Sequence, residues 1–204
     1  MIAIVDYQMG NLGSIGNMLK KLGAQAVITS EADKLMRADK LILPGVGAFD
    51  HGMQNIERLG LRPILDKKVL EEKTPILGIC LGMQLITRRS QEGSLPGLGW
   101  VQADTIRFSF NPNGKLKIPH MGWNHVTPNG AHPLFRGLES EARFYFVHSY
   151  HAACDRREDV LALTSHGYEF AAAIGRDNIM GTQFHPEKSH KFGLRLLDNF
   201  VRLI

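Results

Sequence analysis

A chain of 204 residues, 44% apolar and 22% charged, suits one core, since single cores stop growing only beyond ~250 residues. Its net charge of +4 comes from 24 basic and 20 acidic residues, scattered and without interleaved aromatics, which excludes the footprint of a nucleic-acid binder. No run approaches the ~20 apolar residues of a membrane span, the start lacks a signal-peptide pattern, and two cysteines in unrelated contexts fit the reducing cytoplasm rather than a disulfide framework.

Residues 1–6 read as a first strand, and residues 12–22 as a helix with Leu12, Ile15, Leu19 and Leu22 on one face and Gly23 as its stop. Residues 26–29 and 40–43 read as neighbouring strands, residues 61–70 as a helix, and residues 74–79 as an apolar strand ending on Cys80. This alternation is the βαβ signature of a parallel sheet covered on both faces. From about Trp100 the texture changes: residues 143–147, 160–164, 170–174 and 179–184 are short strand-like segments broken by Gly, Asn and Asp, which predicts mixed or antiparallel sheet. Phe192, Leu196, Leu197, Phe200 and Leu203 form a closing amphipathic stripe behind Ser189, a candidate N-cap. With no repeat or linker, the expectation is a single α/β domain over residues 1–204, a central, mostly parallel mixed sheet flanked by helices.

Gly78-Ile79-Cys80-Leu81-Gly82 has the form of a nucleophile elbow with Cys in place of Ser. Glycines two residues either side of the nucleophile permit a sharp strand-to-helix turn around a strained residue. A helix opening at Leu81 would aim its N-terminal dipole at the sulfur and favour the thiolate, with the Leu81 N–H where an oxyanion forms. Cys154 has no such setting and reads as structural.

A thiol nucleophile needs a base. Of nine histidines, His185 follows directly on a strand, and Pro186 biases it toward extended backbone. In an extended segment residues two apart share a face, so Glu187 can orient one imidazole nitrogen while the other faces the sulfur. His148 and His151 stand three apart but lack a matching pair of ligands, so no metal is implied, nor any cofactor. Pro44-Gly45-Val46-Gly47 fails as a dinucleotide fingerprint, because the third glycine position is Asp50. It fits an oxyanion loop, with an N–H from Val46 or Gly47 opposing that of Leu81.

Pro44 to Gly47, Gly78 to Gln84 and Phe184 to Glu187 together resemble the class I glutamine amidotransferases over nearly the whole chain. The resemblance implies that family's α/β fold and a triad of Cys80 as nucleophile, His185 as acid and base, and Glu187 as orienter. It implies hydrolysis of L-glutamine to glutamate and ammonia, with the substrate held by Gly45, Gln84, Glu92, His148 and Ser149. Asp6-Tyr7 with Gly10-Asn11, Pro119-His120-Met121-Gly122-Trp123-Asn124, and Lys188-Ser189 are similar to one branch of the family, which supplies ammonia for histidine biosynthesis. That branch forms a heterodimer with a (β/α)8-barrel cyclase, and the resemblance implies that Gly10, Asn11, Trp123 and Lys188 look toward it. Thr182 departs from the usual apolar residue and puts no catalytic group in doubt. The alternatives are a glutaminase serving another synthase, sugar-amidating or pyridoxal-phosphate-forming, or a catalytically silent interaction subunit.

Overall fold

The computed structural model describes residues 1–110, 116–138 and 141–204, and every element named below lies within them. The first part of the chain runs β1 (Ile2–Val5), α1 (Leu12–Lys21), β2 (Ala26–Thr29), α2 (Ala32–Met36), β3 (Lys40–Leu43), α3 (Phe49–Arg58), α4 (Leu61–Asp66), β4 (Ile76–Ile79) and α5 (Leu81–Leu85). There follow β5 (Ala103–Arg107), β6 (His120–His125), β7 (Thr127–Pro128), β8 (Arg143–His148), β9 (Tyr150–Cys154), β10 (Val160–His166), β11 (Tyr168–Arg176), β12 (Ile179–Thr182) and α6 (His190–Leu203). The main sheet has eight strands in the order β2-β1-β3-β4-β12-β11-β10-β7. Pairing is parallel from β2 through β12 and antiparallel from β12 to β7.

The central strands are buried on both faces, as β1 and β4 are along their whole length, because helices cover both sides of the sheet. Strand periodicity divides the core. Ala3, Val5, Leu41 and Leu43 meet Phe49, Met53, Ile56, Leu61 and Leu65 from α3 and α4. Ile2, Ile4 and Ile42 face the other way, onto Ile15 and Leu19 of α1 and Leu196, Leu197 and Phe200 of α6. At ~25 cal/mol per Å² of apolar surface removed from water, each such Leu, Ile or Phe contributes roughly 1.5–3 kcal/mol.

Three sequence expectations need adjustment. The helix foreseen over residues 61–70 is α4 followed by one π-helical segment, Lys67–Glu71. The segment beginning at residue 143 leaves the main sheet: β8 pairs with β6, and β5 pairs with β9, in two separate ribbons. Ser189 stands at the N-cap of α6 without capping it. Its hydroxyl donates to the His185 carbonyl at 2.6 Å and accepts from the Tyr145 N–H at 3.0 Å, a nonlocal competition that local pattern cannot reveal. Among the described residues no helix is long and apolar enough to cross a membrane.

Candidate active site

Strands β3, β4 and β12 are neighbours and parallel, so the loops at their carboxyl ends converge on one edge, where open α/β sheets carry their chemistry. From β4 comes Cys80, at φ 54° and ψ −107°. Such a non-glycine conformation costs about 1–3 kcal/mol and persists only where the surroundings enforce it. Here the enforcement is close packing. A Cβ on Gly78 would lie 2.7 Å from the Gly82 carbonyl oxygen, and one on Gly82 would lie 1.8 Å from the Leu43 carbonyl oxygen. The Cys80 N–H donates to Thr182 O at 2.7 Å, tying the elbow to β12. The Thr182 hydroxyl donates to Phe184 O at 3.1 Å, which accounts for a polar residue at that buried site.

From β12 the chain continues to His185, whose Nδ1 is 2.8 Å from Glu187 Oε1, both side chains being 1% exposed. The carboxylate meets the ring from a 3₁₀ turn, Pro186–Lys188, and not along the extended face expected from the sequence. His185 is held from its backbone as well, its N–H donating to Tyr145 O on β8 at 2.9 Å. Because Glu187 takes Nδ1, the buried Nε2 makes no hydrogen bond within geometric limits among the described residues. Burial opposes a charged imidazole, but the adjoining Cys80 and Glu187 outweigh it and push His185 up to about 9.

A cavity of about 270 Å³ opens over these groups, lined by Val46, Gly47, Cys80, Leu81, Gln84, Glu92, His148, Ser149 and His185. That is below the ~300–1,000 Å³ of sites for drug-sized ligands and fits one small molecule. Of the residues expected to hold a substrate, Gly45 is not in the lining. A Cβ there would lie 2.5 Å from Tyr7 Oη and 2.7 Å from Leu81 Cβ, so it allows the 44–47 loop to press on the elbow. Glu92 lines the cavity but also accepts the Phe49 N–H at 2.9 Å through Oε2, satisfying the opening turn of α3.

Trp123 is 46% exposed, stacks on His190 at 5.3 Å and meets Tyr145 edge-on, while Lys188 Nζ lies over the Tyr145 ring at 5.7 Å. Trp123 and Lys188 therefore belong to one patch. Gly10 lies against Pro44 and Gly45, and Asn11 is exposed at the start of α1, which packs on the Pro186–Lys188 turn.

Sequence reasoning missed Tyr7, Tyr150 and Gln183. The buried Tyr7 hydroxyl donates to Pro44 O at 2.5 Å and bridges β1 to the glycine loop; burial and then the Cys80 charge raise its phenol well above the ordinary value. Cys154 is half-buried, its thiol pushed up to about 12 by burial and by Asp159 and Asp155, which disfavours its thiolate. Among the described residues there is no group of three or more His, Cys, Asp or Glu able to hold a metal ion.

A family model, glutamine amidotransferase class-I, matches residues 3–203. The chain belongs to the class I glutamine amidotransferases. This amidotransferase is 54% identical over 99% of both chains to "Imidazole glycerol phosphate synthase subunit HisH 2" of Methanococcus maripaludis. It is 48% identical over the full length of both chains to the HisH 2 subunit of Pseudomonas aeruginosa. Among solved structures, a glutamine amidotransferase superposes with a TM-score of 0.76 at 18% identity over 100% of this chain and 99% of that one. A putative GMP synthase subunit of Thermoplasma acidophilum gives 0.73 at 22%, covering 98% and 91%. These two likenesses establish the fold of the amidotransferase.

Proposed function

We propose that residues 1–204 act as one glutaminase domain, the ammonia-producing subunit of imidazole glycerol phosphate synthase in the cytoplasm. The Cys80 thiolate attacks the side-chain amide carbon of L-glutamine. The oxyanion forms against the Leu81 amide and that of Val46 or Gly47, His185 hands its Nε2 proton to the departing nitrogen, and ammonia leaves. Water then adds to the thioester, giving its proton to His185, and glutamate is released with the thiolate restored. Glu187 keeps the ring oriented and favours its charged form. Gln84, Glu92, His148 and Ser149 hold the substrate. A (β/α)8-barrel cyclase docks on the patch bearing Trp123 and Lys188, with Gly10 and Asn11 beside it, and takes up the ammonia.

The observation that carries this reading is the convergence of the β3, β4 and β12 ends, which puts Cys80, His185 and the glycine loop around one small cavity. The test is Cys80→Ala. Glutamine-dependent turnover should vanish while the complex with the cyclase still runs on ammonium salts; surviving glutamine turnover defeats the assignment. Labelling by a glutamine-analogue electrophile should reach Cys80 and spare Cys154, whereas a silent subunit would take no label at Cys80. Co-purification with a barrel cyclase separates this pathway from another synthase.

A further inference from the structure

Behind the cavity a chain of hydrogen bonds ends on the sulfur, and the chemistry of its members fixes the direction of every bond. The Tyr150 carbonyl can only accept, so the Gln84 side chain must turn its NH2 group toward it, at 3.2 Å. The same NH2 group lies 3.2 Å from Gln183 Oε1, which makes that atom the acceptor. Gln183 therefore presents its own NH2 to Cys80 Sγ, at 3.8 Å. At sulfur such a contact is a long hydrogen bond, and it favours a thiolate over a thiol.

The far side of the chain is fixed by the same logic. His148 Nδ1 is 2.7 Å from Tyr150 O and must carry the proton, so its Nε2 accepts from His120 Nδ1 at 3.0 Å. His120 Nε2 in turn accepts from the Asn124 amide at 3.2 Å. Neither ring can take a second proton without losing a bond, and burial pushes His120 down to about 4 and His148 to about 3. Gln183 is fully buried and absent from the cavity lining, so it is not placed to touch a substrate.

We propose that Gln183 is the hydrogen-bond donor to the Cys80 sulfur, its amide held in the donating orientation by Gln84 and Tyr150. This rests on Cys80 being the nucleophile. A donor aimed at the sulfur favours the ionised form over the thiol, so Gln183 sustains the reactive state that His185, on the other side, also favours. The titratable groups facing the sulfur are His185 and Tyr7, and both are retained in the Gln183 variants.

The test is the pH dependence of Cys80 alkylation by iodoacetamide in the full chain, alongside kcat and KM for glutamine in the complex with the cyclase. Gln183→Met and Gln183→Leu each remove the donor without placing a charge beside the sulfur. Each should raise the alkylation midpoint by about one pH unit, slow labelling at neutral pH roughly tenfold, and lower kcat with KM little changed. A wild-type midpoint in both variants overturns the proposal. Should either variant fold poorly, the amide resonances of ¹⁵N-labelled Gln183 in the unsubstituted chain serve instead. They should move with the thiol's titration and stop moving in Cys80→Ala; a silent amide overturns the assignment. If Cys80→Ala retains glutaminase activity, the nucleophile is misassigned, and that is a failure of the underlying function, distinct from this one.

Discussion

The two sides of the site, one from the parallel strands of the main sheet and one from the antiparallel ribbons beside it, are built by different means. On the parallel side, β3, β4 and β12 supply reacting groups through backbone geometry: an elbow, a glycine loop and a strand end, each placed by where a buried strand stops. On the antiparallel side, the β6–β8 ribbon and β9 supply a wall, His148, Ser149 and Tyr150, backed by buried histidines packed on Phe108, Phe146 and Phe170. Reactivity comes from one side, and a fixed hydrogen-bond polarity from the other. The elbow holds a strained backbone where covalent chemistry is proposed, and buried uncharged imidazoles stand where a polar wall must hold its shape.

The comparison is broken most severely at the elbow. Gly82→Ala places a Cβ against the Leu43 carbonyl at 1.8 Å, and a backbone neighbour cannot step aside as a side chain would. The expected loss is more than about 4 kcal/mol, read as a collapse of the urea midpoint or of soluble yield. A near-native midpoint would mean that the parallel half is far more plastic than its packing indicates.

The next largest effect is catalytic. Glu187→Gln leaves the volume unchanged and removes the charge beside His185, so kcat should fall by roughly 10²–10⁴-fold, less than on loss of Cys80. The pH at which His185 titrates, now about 9, should fall in the same variant, measurable by proton NMR of the imidazole. An unchanged titration would show that the carboxylate is only a spacer.

The halves also respond to pH with opposite signs. His120 and His148 are held down to about 4 and about 3 by burial, with His132 and His151 lowered in the same sense. Below the ordinary value of about 6.5 the unfolded chain takes up protons that the folded one refuses, so stability is lost as pH falls, by about 1.4 kcal/mol per pH unit for each fully suppressed histidine. His185 is raised, so its contribution is present below about 6.5 and is lost as pH rises toward about 9. Urea midpoints across pH 5 to 9 should therefore peak near neutrality; a profile flat below pH 6.5 would contradict the uncharged histidine wall.

The smallest effect lies at the surface. Arg88 bridges Asp104 on β5 at 2.8 Å and Asp155 just beyond β9 at 2.6 Å, but it is solvent-accessible. Arg88→Ala should cost less than about 1 kcal/mol and vanish at high salt, as a thermal shift of a few degrees would report.

What could be read beforehand follows the same division. The elbow, the glycine loop and the His-Pro-Glu turn are contiguous, and each advertises its geometry through glycine or proline beside a strand. Helix α3 carried a signal that went unread, Phe49, Met53 and Ile56 at helical spacing, obscured by Gly52. A Cβ at that glycine would come within 3.2 Å of the Leu85 methyls on α5. The Glu92 contact with α3, the diversion of Ser189 and the direction of Gln183 lie beyond local pattern. Each depends on partners more than 40 residues away, at separations of 43, 44 and 103.

That last separation has a consequence for synthesis. The segment carrying the thiol leaves the ribosome 103 positions ahead of the segment carrying its donor, an interval of roughly 5–20 s at translation rates of about 5–20 residues per second. During that time β4 lacks its parallel neighbour β12, and the elbow lacks the Thr182 carbonyl that fixes it. A nascent chain thus carries the thiol of Cys80 for that interval with neither Gln183 nor His185 beside it.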